Sequence, residues 1–263
     1  NIKRKVLPPE AYLIPYIGTV KLHGTNGSVV FHSEDEVVFQ SKERVVTVGD
    51  DNNGFAAFMS RKDTAELLSQ VKYLCEVNDV EFQFPVEIAG EWAGRGIQKG
   101  VAITEVEPFF AIFRVAVGRD EATDTLNWLP PTFQFGIGLP DARIYSILDF
   151  GYWMANIPFN EPELVQNDLA ELTREVENKC PAGKFFGVEG IGEGIVWSPK
   201  DPELSKISGL WFKVKGDKHS VSKVKTLAAI DPERLASMRE FVEYAVTEAR
   251  LEQGVSEVGL DQT

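Results

Sequence analysis

Three short β-branched runs open this 263-residue chain, at 18–22, 27–32 and 37–40, and Gly, Asn, Ser and acidic residues separate them. Turn formers between strand formers fold back on themselves, so the pattern predicts an antiparallel meander. Strand-like runs return at 86–92, 109–117, 143–148, 194–197 and 210–214. The segment 55–75 carries an interrupted helical period through Phe55, Phe58, Met59, Leu67, Leu68, Val71 and Leu74. A second helix is predicted over 160–178, with Pro162 tolerated in its first turn. At Asp231 an Asp-Pro signature opens an amphipathic helix to about 253. No repeat or low-complexity linker divides the chain. It is therefore expected to be α+β: one domain of antiparallel sheets flanked by helices, 1–225, followed by a short helical C-terminal segment, 226–263.

Composition narrows the partners. No run approaches the roughly 18 apolar residues of a bilayer span, and no apolar stretch follows the basic N-terminus, so neither a membrane partner nor secretion is expected. Cys75 and Cys180 make no metal-ligand spacing and are expected to be reduced thiols of an intracellular, cytoplasmic protein. A net charge of −13 argues against a sequence-blind nucleic-acid coat, which needs clustered Lys and Arg. The acidic excess is concentrated in 161–177 and 233–257, while Lys42, Arg44, Arg95, Lys99, Lys213, Lys215 and Lys218 lie near the motifs below. That distribution is compatible with an acidic body that bears a basic cleft.

The chemistry starts at Lys21, in Lys21-Leu22-His23-Gly24-Thr25-Asn26, where a β-run meets a Gly-Asn turn. A lysine at the end of a strand is held on a rigid element, and the glycine lets backbone approach a ligand. To attack phosphorus the amine must be neutral, so its site must depress a pKa that is ordinarily about 10.4. Lys213-Val214-Lys215 alternates along an apparent strand, which puts both ammonium groups on one face about 7 Å apart. Glu91, in Gly90-Glu91-Trp92, and Glu193, before Gly194, supply hard oxygen ligands suited to Mg²⁺ or to a ribose hydroxyl. Any one of these residues alone reads as a solvated strand end; their order and chemistry together are a much stronger signal.

The set resembles the covalent nucleotidyltransferase superfamily of ATP-dependent ligases and capping enzymes, and within it the RNA ligase 2 family. Lys21-Leu-His-Gly-Thr-Asn26 is similar to the family's first motif, and Gly90-Glu91-Trp-Ala-Gly94 through Gly96-Ile-Gln98-Lys99 to its third. Phe110-Ala-Ile-Phe113, Glu193-Gly-Ile-Val196 and Lys213-Val-Lys215 resemble the three motifs that follow. The resemblance implies ATP, with Mg²⁺ or Mn²⁺, as cofactors, and RNA ends or a nicked duplex as the partner of a monomeric enzyme. It implies Lys21 as the residue that takes AMP, Glu91 on the ribose, Phe113 on adenine, and Glu193 at the metal or orienting the lysine. Lys213 and Lys215 are expected on phosphates and Asn26 near the nucleotide. His23 and Gln98 are expected in later steps, and Arg44 at the α-phosphate or the RNA 5′ end.

Two positions depart from the family pattern: Arg114 follows Phe113, where an acidic residue is expected, and Val20 precedes Lys21. A DNA ligase, a GTP-using capping enzyme and a non-catalytic nucleotide-binding relative are the alternatives, and His23 with Gln98-Lys99 tilts away from the first two. The first residue is Asn rather than Met, as in a fragment or processed product, and 226–263 is expected to be the start of a truncated C-terminal domain.

Overall fold

A computed structural model describes residues 13–159, 161–216 and 218–219, all in the first of two compact units, 1–224. The helix expected from Asp231 lies outside the described residues. Strand β1 (Leu13–Lys21) leads through a tight turn into β2 (Thr25–Phe31), β3 (Val37–Ser41) and the short β4 (Val45–Val46). The interrupted helical period over 55–75 resolves into two helices, α1 (Phe55–Met59) and α2 (Thr64–Val77). The break has a local cause: the Asp63 carboxylate accepts from Glu66 N and starts a new helix, giving the backbone an alternative to continuing the old one.

There follow β5 (Val86–Ala93), β6 (Phe109–Arg119), β7 (Leu126–Trp128), β8 (Ile144–Ser146), β9 (Tyr152–Pro158), α3 (Glu163–Asn178), α4 (Pro181–Phe185), β10 (Gly194–Pro199), α5 (Pro202–Lys206) and β11 (Phe212–Lys215). The run expected as a strand over 143–148 is strand only at β8, and a capping box at Ser146 and Asp149 turns the chain into a 3₁₀ turn. Strand β9 carries no alternation of apolar and polar residues, since Tyr152 and Met154 stand exposed on its outer face, and so gave no period to read.

The strands form a four-stranded sheet, β11-β10-β1-β9, and a seven-stranded sheet, β4-β3-β2-β5-β6-β7 with β8 beside β6. All these pairings are antiparallel except β6 with β8. Two cores result. One joins Tyr16, Val20, Ile195 and Trp197 of the smaller sheet to Leu169 and Val176 of α3 and to Phe109 and Ala111 of β6. The other packs Val29, Ile88, Ile112 and Val115 of the larger sheet on Phe55, Leu67, Leu68 and Val71 of α1 and α2. Each fully buried Val, Leu, Ile or Phe among them contributes about 1.5–3 kcal/mol.

Strand β6 serves both cores because of one irregularity. Ala89 pairs with Arg114 and Gly90 with Ile112, so Phe113 is an extra residue in a β-bulge. Phe110 and Ile112 face the helical core before it, and Val115 and Val117 face it after.

Candidate active site

The register of the smaller sheet brings the predicted lysines together. Lys21 pairs with Gly194, and Gly194 with Lys215, while Thr19 pairs with Val196, and Val196 with Lys213. Directly opposed residues of neighbouring strands share a face, so Lys21, Lys213 and Lys215 project from the same side of three adjacent strands. Glu193, immediately before β10, joins two of them: Lys21 Nζ donates to its Oε2 at 2.6 Å and Lys215 Nζ lies 2.8 Å from its Oε1. His23 Nδ1 is 3.3 Å from the same Oε2. Glu193 is 3% exposed. Burial pushes its carboxyl up, but the hydrogen bonds and charges of Lys21 and Lys215 outweigh that and hold it below the usual carboxylate range.

Glu91 arrives from the larger sheet. It pairs with Asn26 across β2 and β5, and its Oε1 accepts from Gly24 N at 3.0 Å. Glycine is required at position 24, because an added Cβ would collide with the Trp92 carbonyl oxygen. On the other side of the turn Gln98 Nε2 donates to Gly24 O at 3.3 Å. The Glu91 carboxyl is pushed up to about 7, by burial first and by the charge of Glu193, against the opposing pull of Lys21, the Gly24 N–H and Lys213. Lys213 itself is exposed.

On the Glu91 face of the larger sheet, Ala111 pairs with Glu91, and the half-buried Phe113 follows it by one alternation, packed at the edge of the first core. Arg44 does not join the carboxylate cluster. Its Nη1 donates to Asp50 Oδ2 at 2.6 Å and its Nη2 to Asp51 O at 3.3 Å, while Asn52 Nδ2 donates to Thr25 Oγ1 at 3.1 Å and ties this loop to the start of β2. A cavity of about 540 Å³ beside the turn is lined by His23, Gly96, Ile97, Gln98, Lys99 and Thr104.

Sequence reasoning noticed Arg114 only as a departure. Its guanidinium lies between two indoles, 4.4 Å from the Trp128 ring centre and 4.6 Å from that of Trp211, and donates to Ser205 O at 3.1 Å. Both tryptophans come from distant strands or turns, so no local signal could have announced the stack. Ser28 Oγ donating to Glu87 Oε1 at 2.7 Å, on the Glu91 face, was likewise missed.

Among the described residues no three His, Cys, Asp or Glu side chains converge as a metal cage. Two separated carboxylates suit an ion that brings phosphate and water ligands of its own, as Mg²⁺ does.

The sequence model of the RNA ligase family matches residues 14–215, from β1 to the last residue of β11. A comparison with curated proteins found no match. Among solved structures, a variant of Naegleria gruberi RNA ligase with ATP and Mn is 15% identical, with a TM-score of 0.50 over 82% of this chain and 54% of that one. Another variant, with AMP and Mn, is 14% identical, with a TM-score of 0.49 over 78% of this chain and 51% of that one. A third, with ATP and Mn, is 14% identical, with a TM-score of 0.48 over 80% and 52%. The chain spans about half the length of these proteins, and the first of them shares its fold.

Proposed function

Because the chain belongs to the RNA ligase family, we propose that it is an ATP-dependent RNA ligase, or the nucleotidyltransferase part of one, with Lys21 as the residue that carries AMP. One observation carries the reading. Lys21 and Lys215 hold the two oxygens of the same buried carboxylate, Glu193, at 2.6 and 2.8 Å, in one row across three strands. A nucleophile, a phosphate-binding cation and the group that orients both are thereby fixed before any ligand arrives.

Lys21 Nζ attacks the α-phosphate of ATP, its proton leaving along the hydrogen bond to Glu193. The N–P bond forms as the bond to the β-phosphate oxygen breaks, and pyrophosphate departs. An RNA 5′-phosphate oxygen then displaces Lys21, giving a 5′-5′ pyrophosphate-linked AMP. An RNA 3′-hydroxyl finally attacks the 5′-phosphate, loses its proton and expels AMP. Each transfer needs in-line placement and charge neutralisation. Lys213 and Lys215 face the phosphates, Glu91 the ribose and Phe113 the adenine. Glu193 is the carboxylate that would hold a Mg²⁺ or Mn²⁺ ion, which would neutralise phosphate charge; the Naegleria gruberi variant of matching fold holds ATP and Mn. His23 and Gln98, flanking the cavity beside the turn, are assigned to the RNA-dependent steps.

No helix among the described residues is long and apolar enough to cross a membrane. We take the enzyme to act as a monomer in the cytoplasm, a setting that suits the free, buried thiols of Cys75 and Cys180. Incubation with α-labelled ATP and Mg²⁺ should leave label on the protein, and Lys21→Ala should remove it. Label taken equally from GTP, or sealing of nicked DNA but not RNA, would redirect the assignment. An unlabelled wild-type protein would overturn it.

A further inference from the structure

We propose that Glu177, in the last turn of α3, is a positioning residue that fixes Glu193 and Lys215 against Lys21 by gripping the chain on both sides of them. The catalytic consequence rests on the ligase reading; the grip itself does not. Gly192 N donates to Val176 O at 3.1 Å and to Glu177 O at 3.3 Å, which holds the residue just before Glu193. Lys218 N donates to Glu177 Oε1 at 2.6 Å, which holds the chain just after Lys215. Between these two attachments Gly216 N donates to Glu193 O at 3.1 Å. Gly216 is needed for the close approach, since an added Cβ would collide with the Glu177 carboxyl.

The location is unfavourable for a carboxylate, and that is what sets it apart from ordinary packing. Glu177 is 5% exposed and stands at the C-terminal, negative end of a sixteen-residue helix. A buried carboxylate must be compensated, and the groups at its Oε1 are the Lys218 amide and, at 4.0 Å, Nδ1 of His219. That Nδ1 is buried with no hydrogen-bond partner. The His219 ring lies 6.3 Å from the ring of His23, which reaches Glu193. One helical turn thus fastens the backbone entering the Glu193 strand and the backbone leaving the Lys215 strand, beside a histidine that faces His23.

The test compares Glu177→Ala, Glu177→Asp and Glu177→Gln with the wild type by hydrogen exchange of the segment 212–219 and by single-turnover labelling with ATP. Glu177→Ala is expected to exchange about tenfold faster at 216 and 218 and to label about tenfold more slowly at saturating ATP, with half-saturation changed less than about threefold. Glu177→Asp, a methylene too short to reach the amide, moves the same way. Glu177→Gln, whose carbonyl still accepts from Lys218 N, recovers both within about threefold. Local exchange and labelling that match the wild type in a folded Glu177→Ala or Glu177→Asp protein would overturn the proposal, as would a loss of protection spread evenly over the chain. A wild-type protein that takes no label removes the ligase reading alone, because the exchange comparison still decides whether Glu177 grips the strands.

Discussion

Glu91 and Glu193 both feel the charge of Lys21, yet their proton affinities are driven apart. Burial lifts Glu91 to about 7, whereas two lysines outweigh burial at Glu193 and hold it ionised. Two carboxyl groups separated in this way take different work: one stays an anion that fixes cations, the other changes protonation near neutrality.

Nucleotide binding should therefore release protons. On the proposed placement of Glu91 at the ribose, hydroxyls donating to it would favour its ionised form, so a group half-protonated near pH 7 in the free protein should give up part of a proton when ATP binds. Calorimetry of ATP binding at pH 7 in buffers of differing ionisation enthalpy measures that release. Glu91→Gln should lower it by up to about half a proton. An unchanged proton count in the variant would remove Glu91 from the ribose.

Stability should respond in a definite direction. The folded-state pKa of Glu91 is above its unfolded value, so the native state holds more protons between about 4.5 and about 7, and this group's contribution is lost as pH rises through that window. The displacement corresponds to about 3 kcal/mol at most. Glu91→Gln keeps an acceptor for Gly24 N and should stabilise the ligand-free protein by about 1–3 kcal/mol at pH 8, and by much less at pH 4.5, in urea melts. A gain of the same size at both pH values would mean that ionisation of the buried carboxyl is not its source.

Removing the charge of Glu193 should cost both fold and chemistry. Glu193→Gln leaves Lys21 and Lys215, 16% and 40% exposed, without their anion, and because water reaches both amines the cost is about 1–3 kcal/mol. Labelling in a single turnover should slow by about 100-fold or more. A variant that labels at the wild-type rate would leave Glu193 with no part in holding the nucleophile.

Arg114 should prove to be a structural cation. Burial draws its guanidinium down to about 10 despite the opposing charge of Glu87, and its two tryptophans come from separate parts of the fold, Trp128 on β7 and Trp211 just before β11. Arg114→Lys keeps a charge but loses the flat face, and should cost about 1–2 kcal/mol in thermal melts. Melting that equals the wild type would mean the stack contributes nothing.

Much of the site was legible because its chemistry is written in short motifs. Lys21 at a strand end, alternation at Lys213 and Lys215, and Glu91 beside a glycine all depend on neighbours within a few residues. What escaped depends on residues far apart in the chain. Nothing near Glu177 in sequence says that it will meet Lys218, and nothing near Arg114 names Trp211. Arg44 looks free in sequence to reach a phosphate, yet its loop folds Asp50 back onto it. The fold followed the same rule: alternating strands were found, while β9, with aromatic and Met side chains on its open face, had no period to recognise.

The extra residue in β6 carries one more consequence. Take Phe113 out, and the ladder on either side would close into an unbroken strand, with Val115 and Val117 still turned toward the helices. The sheet keeps that residue out of its ladder, where its ring packs on the edge of the first core and its carbonyl oxygen accepts from Gln134 Nε2 at 2.9 Å. A strand one residue longer than its partner can thus present an aromatic ring on the Glu91 face without turning its other apolar side chains away from the helices.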